Sequence, residues 1–328
     1  MEFDLINAIR ARAARRRDDV ALGIGDDAAL LEVPAGRQLV ACTDTMVAGV
    51  HFLAGTAAEE LGWKSLAVNL SDLAAMGADP AWALLSLTLP EADGGFVDRF
   101  AGGFVELAAA HEVALVGGDT TQGPLSITVT ALGTVPRGGA LTRGGACPGD
   151  AVFVTGTLGD AAGALRLLRD GGPGTGERTA SRGLSARLNR PGPRVGAGLA
   201  LRGVASACID ISDGLLADLG HVCTASGVAA EVDVEALPVS AALRAAFDEA
   251  ACRDFALVGG DDYELCFTAP ADRGGEIASV FGRLGLRVSR IGRIGVGEGV
   301  RVLDCDGNAI DTPLAGWQHF ATSQGAAE

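Results

Sequence analysis

Asp72 stands inside Leu66-Ala-Val-Asn-Leu-Ser-Asp-Leu-Ala-Ala-Met-Gly-Ala-Asp-Pro80, a run otherwise apolar enough to be core. An ionised carboxylate buried there without a partner would cost several kcal/mol or remain protonated. The same conflict recurs at Asp26-Asp27, Asp44, Asp119, Asp210, Asp213 and Asp261-Asp262, each beside Gly, Ser or Thr at the edge of an apolar run. Cationic side chains do not resolve it: Lys64 is the one lysine, and most arginines lie in other segments. Hard oxygen donors in such numbers suit a divalent cation, Mg²⁺ above all.

The rest of the composition narrows the class. At 328 residues, two domains are expected. A formal charge of −15, from 41 acidic against 26 basic residues, argues against nucleic acid or an anionic membrane as partner. An acidic chain still binds a nucleotide when metal ions lie between them. No run has the roughly 18 apolar residues of a membrane span, and the N-terminus reads as an amphipathic helix rather than a signal peptide. Seven cysteines without a C-x-x-C pair point to reduced thiols and a cytoplasmic location.

Taken in order, the pattern predicts strands at 38–45, 81–89, 113–116 and 125–135 and helices at 59–76 and 95–110, with Pro80 breaking the first helix. Residues 1–136 are expected to form one domain, 137–150 a glycine-rich linker, and 151–328 a second domain. In the second domain the pattern predicts helices at 159–169, 194–202, 215–225 and 241–251. Strands are predicted at 151–155, 205–209, 228–234, 255–258 and 263–268, and near 287–293 and 300–303, with a loop at 170–183. Ala114-Leu-Val-Gly-Gly-Asp119 recurs letter for letter as Ala256-Leu-Val-Gly-Gly-Asp261. Either this is one device used twice, a strand delivering an aspartate through a Gly-Gly turn, or it is coincidence in a Gly- and Ala-rich chain.

Several chemistries have no support. The single lysine lacks the glycine pattern of a Walker A loop, and neither H-E-x-x-H nor G-x-S-x-G is present. Aspartates at strand ends with small neighbours instead suit several Mg²⁺ ions on a polyphosphate, the arrangement of metal-assisted phosphoryl transfer. Taken singly, Gly-Asp-Asp or Ser-Asp-Gly is an ordinary turn or helix cap; the repetition of such sites favours the metal-phosphate reading. Gly118 would let the main chain approach a phosphate, and Arg143 would clamp one.

The motifs Gly23-Ile-Gly-Asp-Asp-Ala28, Thr43-Asp-Thr45 with His51-Phe52, Ala67 to Pro80, Gly117-Gly-Asp-Thr-Thr121, Leu141-Thr-Arg143, Asp210-Ile-Ser-Asp-Gly214 and Gly259-Gly-Asp-Asp-Tyr-Glu-Leu265 run in order along the chain. Together they resemble the thiamine-monophosphate kinase family, whose superfamily includes aminoimidazole ribonucleotide synthetase and selenophosphate synthetase. The resemblance implies a two-domain α/β (α+β) fold with an N-terminal mixed-sheet domain that pairs with a second subunit and a C-terminal α/β domain. It implies ATP-dependent phosphorylation of thiamine monophosphate by a homodimer using Mg²⁺. Carried over by position, Asp27, Cys42, Thr43, Asp44, Asp72, Asp119, Asp210 and Asp213 match metal ligands, Cys42 through its backbone oxygen. Gly118, Asp119, Arg143 and Ser212 match nucleotide contacts, and His51, Asp261 and Trp317 match the thiamine phosphate site. Asp72, Asp119 and Asp210 are the expected catalytic acids. The family often has Ser where this chain has Cys42 and commonly has Glu where it has Asp261. The alternatives are another ATP-dependent synthetase of the superfamily and a non-catalytic acidic cation-binding module.

Overall fold

The computed structural model describes residues 9–13, 17–171 and 178–312, with side chains from 181 onward in the last segment. Two compact units emerge, residues 1–141 with 189–202, and residues 142–188 with 203–328. The predicted N-terminal helix falls largely outside the described residues, of which 9–12 are helical.

In the first unit, β1 (Val20–Leu22) and β2 (Leu30–Leu31) form a small hairpin. β3 (Arg37–Val47), β4 (Asp79–Leu89), β5 (Ala114–Gln122) and β6 (Ser126–Pro136) make a mixed sheet in the order β3-β6-β4-β5. β4 and β5 run parallel, and the other pairs antiparallel. α1 (Ala58–Ala75) lies against β3 and β6, and α2 (Gly94–Ala110) packs on α1. α1 carries Glu59 and Glu60 in its first turn, where they complement the helix dipole. It buries Leu61, Leu66, Leu70 and Leu73 almost completely.

Pro80 does not end this helix. The helix stops at Ala75, Gly77 turns the chain at φ 61°, and Pro80 lies inside β4, beside a bulge at Ala81. Proline is tolerated near a strand start or bulge because the ladder loses little from its missing N–H.

The second unit is built on a mixed sheet of β7 (Asp150–Thr155), β8 (Ala207–Asp210), β9 (Ala229–Asp233), β10 (Leu265–Pro270), β11 (Val288–Gly295), β12 (Gly299–Leu303) and β13 (Ala309–Ile310). Their order is β13-β12-β9-β11-β7-β10-β8. Its helices are α3 (Asp160–Arg169), α4 (Arg178–Asn189), α6 (Leu215–Ser226), α7 (Ala241–Ala246), α8 (Glu249–Val258) and α9 (Gly274–Leu284), while α5 (Val195–Leu201) belongs to the first unit. Phe267 stacks between Phe153 and Phe281, at centroid distances of 5.2 and 5.8 Å.

Three predictions fail here. The loop expected at 170–183 gives way to α4 from residue 178. The helix expected at 241–251 splits into α7 and α8, because the Asp248 carboxylate accepts from the Ala251 N–H at 2.8 Å and starts a new helix. The strand expected at 255–258 is the end of α8.

Candidate active site

In the first unit, β3 alternates its side chains across the sheet, so Cys42, Asp44 and Met46 share one face while Thr43 and Thr45 share the other. α1 covers the first face with Asn69 and Asp72. The Cys42 thiol donates to the Asn69 carbonyl at 3.3 Å, and the Asp44 and Asp72 carboxyl groups share a hydrogen bond. Burial raises the Asp44 carboxyl above its ordinary range, while the bond from Asp72 works the other way. Two carboxyl groups so placed need a shared proton or a cation between them. Burial, followed by the negative charges of Asp72 and Asp44, pushes the Cys42 thiol up, so it remains protonated and offers a hard cation little.

Thr43 is differently placed. Its hydroxyl donates to the Val129 carbonyl at 3.1 Å and accepts from Thr130 at 3.0 Å. Asp119 is exposed on β5, opposite Ser86 of β4. Gly118, next to it, has φ 152°, and a Cβ there would lie 1.8 Å from the Leu85 carbonyl oxygen. The stretch from Gly117 is therefore not the predicted turn: β5 runs straight through it, with a bulge at Val116. Asp27 is exposed in the loop between β1 and β2, and its N–H donates to Asp26 Oδ1 at 2.8 Å. His51 Nδ1 accepts from the Val47 N–H at 3.0 Å, which leaves the neutral ring protonated on Nε2.

In the second unit, β8 ends on Asp210, buried at 4% exposure, and the chain turns through Ser212, Asp213 and Gly214 into α6. One oxygen of Asp218 accepts from the N–H groups of Ser212, Asp213 and Gly214, each at 3.1 Å. Burial, then the charges of Asp210 and Asp213, pushes the Asp218 carboxyl up to about 7. Sequence reasoning missed Asp218; the acid four residues after Gly214, in the first helical turn, was the available signal.

The segment 259–264 lies against the same turn. The Asp261 N–H donates to the Ser212 carbonyl and the Tyr263 N–H to the Ile211 carbonyl, both at 2.8 Å. Asp210, Ser212, Asp213 and Asp261 are thus brought together in this unit. Arg143 is exposed, and its carbonyl accepts from Ser226 Oγ at 3.3 Å. Trp317 lies outside the described residues. Among the described residues, no three His, Cys, Asp or Glu side chains form a ready-made metal cage. Mg²⁺ does not require one, since it keeps several waters and takes one or two carboxylates plus substrate phosphates.

Comparison with known proteins adds a separate line. The AIR synthase related protein N-terminal domain matches residues 25–135 and the corresponding C-terminal domain matches residues 147–305. Thiamine-monophosphate kinase of Salmonella typhimurium is 47% identical, covering 98% of both chains. The crystal structure of thiamine-monophosphate kinase from Stenotrophomonas maltophilia K279a is 54% identical with a TM-score of 0.87, covering 94% of this chain and 98% of that one. AaThiL complexed with AMPPCP and TMP is 36% identical with a TM-score of 0.78, covering 97% of each chain. With both AIR synthase related domains present and this identity sustained over nearly the full length, the chain belongs to the thiamine-monophosphate kinase family.

Proposed function

We propose that the chain phosphorylates thiamine monophosphate to thiamine diphosphate with ATP, by direct in-line transfer assisted by several Mg²⁺ ions. The observation that carries this reading is the Asp44–Asp72 carboxyl pair, held between β3 and α1 where only a proton or a cation makes it tolerable. Asp27 and Asp119 in the first unit and Asp210 and Asp213 in the second are the further proposed metal ligands, with Thr43 and Cys42 contributing through main-chain oxygens. Bound Mg²⁺ would offset the repulsion between donor and acceptor phosphates. The spacing of the strands that carry these acids supports more than one ion. Register aligns Asp44 with Val129, Leu85 and Gly118, so the β3 and β5 positions are about 14 Å apart at about 4.8 Å per strand. Metal–oxygen bonds of about 2.1 Å do not bridge that span.

The chain's own groups then position the reactants. Gly118, whose missing Cβ makes room for the Leu85 carbonyl, offers its exposed main chain to a phosphate, Arg143 and Ser212 contact the nucleotide, and His51 presents Nε2–H to the acceptor. Asp261 and Trp317 hold the thiamine moiety. The acceptor oxygen is already anionic, so no strong general base is needed. The protein is proposed to act as a cytoplasmic homodimer through the sheet face opposite α1, where Leu39 is 50% exposed and Leu84 36%. Among the described residues no helix is long and apolar enough to cross a membrane.

ADP release measured with thiamine monophosphate, with and without Mg²⁺, tests the reading. Turnover on an aminoimidazole precursor instead would transfer the assignment to a synthetase. Asp72→Asn is expected to lower kcat by about 10²-fold or more with unfolding midpoint retained; near-normal turnover at saturating Mg²⁺ would remove Asp72 from the mechanism.

A further inference from the structure

Tyr263 is the chain's one tyrosine. It and Asp261 lie in the left-handed region, at φ 50° and 67°, where a residue with a side chain is uncommon and costs on the order of 1 kcal/mol. Surrounding contacts enforce the conformation. Side chains alternate along the segment: Asp262 and Glu264 are buried, whereas Asp261 and Tyr263 are half-buried on the other side. Asp262 accepts from the Gly159 N–H at 2.8 Å, and Glu264 accepts from Thr155 Oγ1 at 2.6 Å and from Arg187 at 2.7 Å. The main chain is tied to Ile211 and Ser212 by the two 2.8 Å bonds already described. On this anchored strap, the Tyr263 hydroxyl donates to Asp261 Oδ1 at 2.9 Å.

We infer that Tyr263 is a positioning residue for the acceptor: its phenol fixes the rotamer of the Asp261 carboxylate before the cationic ring of the substrate arrives. A hydroxyl bonded to a carboxylate is a charge-assisted contact, stronger than a neutral one. Orienting the carboxylate in advance removes an entropy loss from the binding step. The inference rests on the proposed contact between Asp261 and thiamine monophosphate.

Steady-state kinetics of Tyr263→Phe test it. The KM for thiamine monophosphate should rise about tenfold, while the KM for ATP and the unfolding temperature hold. A phenol that merely props the loop would instead shift the unfolding temperature or both KM values. In an Asp261→Asn background the same substitution should have no further effect on the KM for thiamine monophosphate; additive losses would overturn the inference, as would an unchanged KM in the single variant.

A second measurement keeps the native sequence. 3-Fluorotyrosine labelling gives a single ¹⁹F resonance, expected to move on adding thiamine monophosphate and to stay still with a non-hydrolysable ATP analogue. A resonance indifferent to thiamine monophosphate overturns the inference. Failure of the wild-type chain to form thiamine diphosphate would instead overturn the functional reading beneath it.

Discussion

The hexapeptide Ala-Leu-Val-Gly-Gly-Asp occurs at 114–119 and at 256–261, and the two copies take opposite structures. The first lies wholly within β5, while the second finishes α8 and opens into the strap that carries Asp261. Their surroundings decide. Upstream of the second copy, Asp248 caps a helix whose Cys252, Ala256 and Leu257 bury one face at helical spacing. Upstream of the first, α2 ends at Ala110, Glu112 turns the chain at φ 57°, and β4 offers a parallel edge to pair with. Alanine and leucine accept either state, so the longer-range partner wins. The expectation of one device used in both halves therefore fails.

Substitutions at equivalent letters make this contrast measurable. The largest difference is expected at the second glycine. At Gly118 a Cβ would meet the Leu85 carbonyl oxygen at 1.8 Å, so Gly118→Ala must separate β4 from β5 and should cost about 3 kcal/mol or more in urea unfolding. At Gly260 the nearest atom is the Ser212 carbonyl oxygen at 2.6 Å, and Gly260→Ala should cost about half as much. Equal losses would break the contrast.

The final aspartates should differ in kind. Asp119→Asn is expected to reduce kcat by about 10²-fold, whereas Asp261→Asn should act mainly on the KM for thiamine monophosphate. Identical kinetic profiles would mean that the two acids share one role. A smaller effect concerns the helix that only the second copy has: Asp248→Ala removes its cap and should destabilise by about 1 kcal/mol in thermal unfolding.

The smallest effect involves pH. Three residues before the first copy, burial lowers the pKa of His111, whereas Arg253 occupies the corresponding place before the second. Below a pH of about 6.5 the unfolded chain takes up a proton at His111 more readily than the folded chain, so stability falls as pH decreases. His111→Gln should flatten part of that acid-side loss, read as the change in urea midpoint between pH 7.5 and 5.5.

Much of the local structure around the candidate site residues was legible. Asp72 in an apolar helix, Asp44 on a strand and Asp210-Ile-Ser-Asp-Gly214 each combine charge, small neighbours and an apolar run; the structure places Asp72 on α1 and Asp210 at the end of β8, while β3 runs three residues past Asp44. Asp218, Tyr263 and Arg187 were not legible, because their roles arise from hydrogen bonds that close between segments distant in sequence or across a turn.

The sequence by itself determined that acids sit where core should be and, through ordered motifs along the chain, the family to which it belongs. Only the tertiary structure decided that Asp44 and Asp72 share a hydrogen bond, that Thr43 lies on the opposite sheet face, and that one hexapeptide serves as both strand and helix end. Local letters fix charge, size and propensity, whereas pairing partners and burial are set by segments far apart in sequence, and at Ala114 and Ala256 those terms outweigh intrinsic preference.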